Sequence, residues 1–242
     1  MTTFAEVLAR QLRADSSRPV ITFYDEATGE RVELSVTTYA NWVAKAASLL
    51  AEEHDLERGA TLCVDLPTHW LGPVFLGAAW TVGLVVTGPD DADDPDAVVC
   101  GPTSLERWAR VAADIPVLAC SLLPLGVRFA DPLPAGVHDV GLEVWSQPDA
   151  FSPWDPPTSD DLATGTTYGA ATHEQLWSAA AAGSLLTDGG RLLSEANPAS
   201  PPGIATFTEP LVRGGSLVLV THAGPERLEA IHTAERATAR FP

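Results

Sequence analysis

The chain has 242 residues, 45% of them hydrophobic and 19% charged, enough apolar material to core one large α/β domain or two small ones. A formal net charge of −18 argues against nucleic-acid binding, because phosphate backbones are held by Lys and Arg, and it weakens the case for an anionic membrane surface. Cys63, Cys100 and Cys120 are odd in number and each lies in an apolar run, and residues 1–13 carry no apolar leader core. Together these predict reduced, buried thiols in a cytoplasmic protein.

In chain order, Thr3 to Glu6 matches a capping box, and Phe4, Val7, Leu8 and Leu12 then share one helical face. Residues 19–24 and 31–34 read as a hairpin around Thr28-Gly29. Thr37 or Thr38 is expected to cap the next helix, which turns Tyr39, Trp42, Val43, Ala46, Ala47 and Leu50 inward. Residues 61–66 read as a strand, Trp70 to Ala79 as a buried helix ending at Gly83, and residues 84–87 as a second strand. That makes a βαβ unit with a parallel pair and a right-handed crossover. No charge occurs between Asp65 and Asp90, but Pro67, Pro73, Gly72 and Gly77 break the run and its flanks are acidic. An interior helix is therefore expected, not a membrane span.

Five aspartates fall in residues 90–96, without the regular ligand spacing or Glu of a calcium loop, and a solvated turn is expected there. A strand over 97–100, a capping box at Thr103 to Glu106 opening a helix to Ala113, and a strand over 117–121 form a second βαβ unit. Residues 122–161 are rich in proline and read as a surface connection pinned by Phe151 and Trp154, dividing subdomains 1–121 and 162–242 of a single 1–242 unit. A third capping box, Thr172 to Gln175, opens a helix to about Leu186. A strand over 190–194, a proline loop, a helix over 204–213, a strand over 216–220 and a last helix from Pro225 with Arg236 and Arg240 near its end complete the chain. The predicted class is α/β, with a mostly parallel sheet flanked by helices.

Tyr39-Ala40, Leu56-Glu57-Arg58-Gly59, Cys63 to Thr68 and Gly77 to Gly83 resemble, in order, the opening of the AMP-forming acyl-CoA synthetases. Gly190 to Ser194 and Pro210 to Leu219 resemble that family's later "DRVLS" and "PLL-GA-VVL" segments. The resemblance covers most of this chain but only the first half of a typical member, and is similar to a short actinobacterial group of such proteins. It implies the N-terminal domain fold of adenylate-forming enzymes. It also implies that Thr164, Gly165, Thr166, Thr167 and Thr172 stand where the family's phosphate loop wraps ATP. The loop's middle is short, no Lys or Arg lies between Arg128 and Arg191, and Asp160 and Asp161 precede it, so ATP and AMP are disfavoured as cofactors. The family's aromatic-Gly-x-Thr-Glu magnesium motif has no match, and its ribose-binding region and catalytic Lys would lie beyond Pro242.

No catalytic residue follows from the rest of the sequence. The six histidines form no His-x-x-x-His or His-Glu-x-x-His pair, so no metal site is expected, and no Gly-x-Ser-x-Gly elbow or strand-to-helix dinucleotide fingerprint occurs. The reading is a pseudoenzyme that binds an acyl or nucleotide-like ligand or a protein partner. The alternatives are half of a split ligase completed in trans, and a structural or oligomer-forming module.

Overall fold

The computed structural model describes residues 2–91 and 95–242. Helix α1 (Phe4–Asp15) starts at the expected box: Thr3 Oγ1 accepts from Glu6 N, and the Glu6 carboxylate accepts from Thr3 N at 2.9 Å. Strands β1 (Pro19–Asp25) and β2 (Glu30–Ser35) form the hairpin, and α2 (Val36–Ser48) follows and runs into a π-helical turn, Leu49–Glu53. Its cap is Ser35, not Thr37 or Thr38. The Ser35 hydroxyl takes the Thr38 N–H at 3.1 Å, while Thr37 Oγ1 is spent on Ser16 O.

The βαβ unit stands as read: β3 (Thr61–Asp65), α3 (Leu71–Val82) and β4 (Val85–Thr87), with β3 and β4 parallel. Helix α3 is buried on nearly every side yet has only 12 residues, against the roughly 20 a spanning helix needs. Among the described residues no helix is long and apolar enough to cross a membrane.

Next come β5 (Ala97–Cys100), the single turn α4 (Leu105–Trp108) and β6 (Val117–Ala119). The capping box at Thr103 to Glu106 does not form. Ser104 takes the cap position, its hydroxyl donates to Asp65 O instead, and the helix stops after one turn. The proline-rich segment carries more structure than its composition suggests. It supplies β7 (Val137–Asp139), parallel to β6, and α5 (Val140–Glu143), which buries Val140. Phe151 packs on the core as expected, but Trp154 is fully exposed; that stretch is held instead by Arg58, which reaches Asp155 and Pro156 O.

Strands β8 (Leu162–Thr164) and β9 (Ala171–Thr172) lead into α6 (His173–Ala182). They are followed by β10 (Arg191–Ser194), α7 (Ile204–Val212), β11 (Ser216–Thr221), α8 (Pro225–Ala234) and β12 (Ala239–Phe241). The last strand was not foreseen: Arg240 lies in it, paired with Glu195 at 3.6 Å, and not at a helix end.

Two sheets result. One has the order β12-β10-β11-β1-β2, the other β7-β6-β5-β3-β4-β8-β9, each parallel except for its last pair at the β2 or β9 edge. A single core joins Ile21, Phe23, Leu217 and Leu219 of the first sheet with Leu62, Val64, Val86 and Val99 of the second, through α1, α2, α3, α6 and α7. Strand alternation sends Cys63, Val98 and Cys100 to the opposite face under Trp108, and Val218 and Val220 to a third cluster under α8. Phe4, Trp80 and Trp177 meet at the centre with ring centroids 5.5–5.9 Å apart, and Trp80 Nε1 donates to Ala163 O.

Candidate functional site

The candidate site lies at the β8–β9 edge of the larger sheet. Thr164 pairs with Val86 of β4, and Gly165 N donates to Val86 O at 2.8 Å. Thr166–Tyr168 then make a 3-10 turn, closed by Thr164 Oγ1 donating to Gly169 O, before β9 returns the chain to α6. The turn presses on the backbone that leaves β4. A Cβ at Gly88 would stand 2.6 Å from Thr167 Cγ2, a separation real side chains do not adopt, so a glycine there is what lets the two segments touch.

That approach brings a carboxylate into the loop. Asp91 Oδ1 accepts from Thr166 Oγ1 at 2.6 Å, Thr167 Oγ1 at 2.6 Å and Thr167 N at 2.8 Å, and Asp91 Oδ2 accepts from Gly88 N at 3.0 Å. Two hydroxyls and two amides therefore converge on one carboxylate, supplied by the chain itself. Partial burial pulls the Asp91 carboxyl upward, but the hydrogen bonds from Thr166, Thr167 and Gly88 outweigh it and hold the group below the ordinary carboxylate range. The turn at residues 90–96 is therefore not wholly solvated: Asp91 faces inward, while Asp93 and Asp94 lie outside the described residues. Arg107 donates to Pro89 O at 2.6 Å, fixing the backbone two residues before Asp91.

Thr164, Gly165, Thr166 and Thr167 thus gather at one place. Thr172 stands apart at the α6 cap, its hydroxyl accepting from Gln175 N while Gln175 Oε1 accepts from Thr172 N. Asp161 is neutralised by Arg58 at 3.0 Å and bonded to Thr158, so it is not the repulsive charge its position suggested; Asp91 is the carboxylate that matters. The sequence held no local sign of this, since Asp91 and Thr167 are 76 residues apart.

Beside the loop, between α6 and α7, lies a cavity of about 290 Å³ lined in part by Thr164, Tyr168, Leu176, Ile204 and Thr208. Glu209 also lines it, accepting from Leu185 N at 2.7 Å and standing 3.8 Å from Arg213 Nε. His173, at the first position of α6, is fully buried, and burial lowers its imidazole to about 4, keeping it neutral at pH 7.

No family model matches the sequence. A curated protein of Mycobacterium tuberculosis (strain H37Rv), described as a TIGR03089 family protein, is 34% identical over 239 residues, covering 96% of this chain and 95% of that one. Among solved structures, an acyl-CoA synthetase from Brucella canis superposes with a TM-score of 0.79 at 16% identity, over 97% of this chain and 46% of that one. A benzoate CoA ligase from Burkholderia xenovorans LB400 gives 0.75 at 16% identity, over 99% and 50%. The N-terminal domain of FACL13 from Mycobacterium tuberculosis gives 0.73 at 16% identity, over 98% and 62%. The chain spans about half the length of the first two structures, and its fold is that of the N-terminal part of acyl-CoA synthetases and CoA ligases. By its likeness to the mycobacterial relative, taken over nearly the full length of both, it belongs to the TIGR03089 family.

Proposed function

We propose that this chain binds a small acyl or aromatic group and does not adenylate it. The observation that supports this is Asp91 in the loop. An ATP phosphate needs the donors that Asp91 already takes, and a carboxylate left about 4 Å from it opposes it by ~4 kcal/mol per charge at an effective dielectric near 20. The loop also offers no lysine, and loss of one electrostatic donor to a developing charge typically costs ~10²–10³ in rate. The cavity between α6 and α7, beside the loop, is the volume this reading assigns to the ligand. At about 290 Å³ it suits a short chain or a single ring, and the Glu209 carboxylate in its wall favours a neutral acyl group over a free acid.

The test is a thermal-shift panel of ATP, AMP, CoA and short acyl and aromatic acyl-CoAs, alongside ATP–pyrophosphate exchange with short-chain, long-chain and aromatic acids. The expected outcome is stabilisation by an acyl or aromatic compound, no response to ATP, and exchange no faster than without protein. Exchange scaling with purified chain would overturn the non-adenylating reading. Silence across the whole panel would overturn the ligand reading in favour of an interaction module.

A further inference from the structure

At the opposite edge of the larger sheet from the loop, three side chains from three separate segments converge. His138 lies in the edge strand β7 and Glu143 ends the short helix α5 that follows it. His54 ends the π-helical turn after α2, and the chain leaves it through Asp55 in the left-handed region at φ 53°. His138 Nδ1 is 3.1 Å from Glu143 Oε1, and His54 Nε2 is 3.4 Å from Glu143 Oε2. One ligand atom from each residue lies within 4.8 Å of the others. The two imidazole rings stand 4.4 Å apart, nearly perpendicular.

We propose that His54, His138 and Glu143 form a binding site for a divalent transition-metal ion of the zinc class. A zinc ion at ~2.0–2.1 Å from nitrogen and ~2.0–2.2 Å from oxygen sets tetrahedral ligand atoms about 3.3 Å apart; the histidines stand 3.1 and 3.4 Å from the two different oxygens of Glu143, and the three residues offer one ligand atom each within 4.8 Å of one another. The burial is graded. The His54 side chain is 5% exposed, while Glu143 and His138 are 31% and 41% exposed, so the site has a buried base and an open mouth. His54 Nε2 is shut away from solvent and its near neighbour is the Glu143 carboxylate, at 3.4 Å and outside good hydrogen-bond geometry. Three protein ligands and an open fourth position make an accessible site rather than a closed structural one.

The frame is held independently of any ion. Ser48 Oγ donates to Gln147 Oε1 at 2.7 Å in the interior, Gln147 Nε2 donates to Glu53 Oε1 at 3.3 Å, and Lys45 pairs with Asp149 at 3.0 Å. These contacts clamp the segment carrying Glu143 onto the end of α2, beside His54, and Glu53 adds negative charge near the site. Local spacing could not reveal the group, because its members are 84 and 5 residues apart in sequence.

The test is isothermal titration of the full chain with Zn²⁺ in chelator-free buffer, with Co²⁺ absorption as a second readout. One ion per chain is expected, together with intense visible bands from Co²⁺ in a site of low coordination number. Loss of a second-layer partner of a metal typically costs ~10–100-fold in affinity, so H138Q and E143Q should each weaken binding at least about tenfold. Both residues are partly exposed and the variants should fold; H54Q is the third test, and H232Q on α8 should leave binding unchanged. Absence of 1:1 binding, or binding that H138Q and E143Q leave at full strength, would overturn the proposal and mark the uptake as non-selective attraction to an acidic surface.

Discussion

Asp91→Ala is the substitution that most directly tests the closed loop. It removes four hydrogen bonds of 2.6–3.0 Å to one carboxylate. Bonds to a charged acceptor carry about 1.5–3 kcal/mol each in favourable settings, but this group is only partly buried, water replaces some of the bonds, and the four are not additive. A loss of about 2 kcal/mol is therefore expected, which for a chain of this size lowers Tm by roughly 4–8 °C. The sign of the pH effect is fixed as well. A carboxylate held below its ordinary range in the folded state contributes stability above its unfolded value, near pH 4, and loses that contribution as pH falls through the folded value. The difference between the parent chain and D91A should accordingly narrow in acid.

The same variant leaves Thr166 Oγ1, Thr167 Oγ1 and two amides without their anion. Inorganic phosphate should then stabilise D91A and not the parent. For a Kd of ~1 mM, ~10 mM phosphate adds RT ln(11), about 1.4 kcal/mol, or roughly 3–5 °C. Differential scanning fluorimetry with and without phosphate, at constant ionic strength, reads both effects. Equal phosphate responses in the two proteins, or a D91A loss below ~0.5 kcal/mol, would falsify the view that Asp91 occupies an anion site.

Further outcomes follow from the core. Burial holds His173 at about 4, against an ordinary imidazole near 6.5, so the unfolded chain takes up its proton first; the neutral ring favours folding above pH 6.5, and this is lost as pH falls towards 4. Between pH 7 and pH 5 that loss is about 2 kcal/mol, and H173Q should flatten the pH dependence of the unfolding free energy from urea titration by that amount; an unchanged dependence would rule it out. Gly77→Ala puts a Cβ 2.3 Å from Tyr39 Oη and 2.8 Å from Phe4 Cζ, and overpacking of this kind costs ~1–3 kcal/mol. Y39F removes the nearest atom, so G77A/Y39F should be less destabilised in urea than the two single variants sum to, and strict additivity would contradict the contact. Burial pushes the Cys63 and Cys100 thiols up to about 12 and Cys120 well above its ordinary value, so native thiol titration should be slow and become complete only in denaturant. A rapidly labelled native cysteine would refute that.

What the sequence made legible was what neighbouring residues decide together. The boxes at Thr3 and Thr172 formed because hydroxyl, amide and the residue three positions on are all local, and the βαβ unit followed from apolar period and a glycine stop. Each failure came from a long-range competitor. Ser104 spent its hydroxyl on Asp65 O, 39 residues away, and the predicted helix shrank to one turn. Strands β7 and β12 are three residues each, Val-His-Asp and Ala-Arg-Phe, and become strands only because β6 and β10 present free edges. The sequence marked Thr164 to Thr167 as one loop but not their partner, because an aspartate inside an acidic run reads as solvated until folding sets it against Thr167.

The relation between Asp91 and an external phosphate can be put as a competition. Gly88 and Asp91 are joined by a tight turn, with Asp91 N donating to Gly88 O at 3.2 Å. Groups joined by a short flexible link meet at effective concentrations in the mM range, and a turn that is itself hydrogen-bonded raises that value further. A free phosphate that binds the same donors with mM affinity must therefore displace an anion already present at comparable or higher effective concentration, and must do so against a net charge of −18. Salt screens the long-range part over about 8–10 Å but leaves the contact term intact. The hydroxyls and amides that hold Asp91 are thus already satisfied by an anion of the same chain, and an external phosphate reaches them only by displacing it.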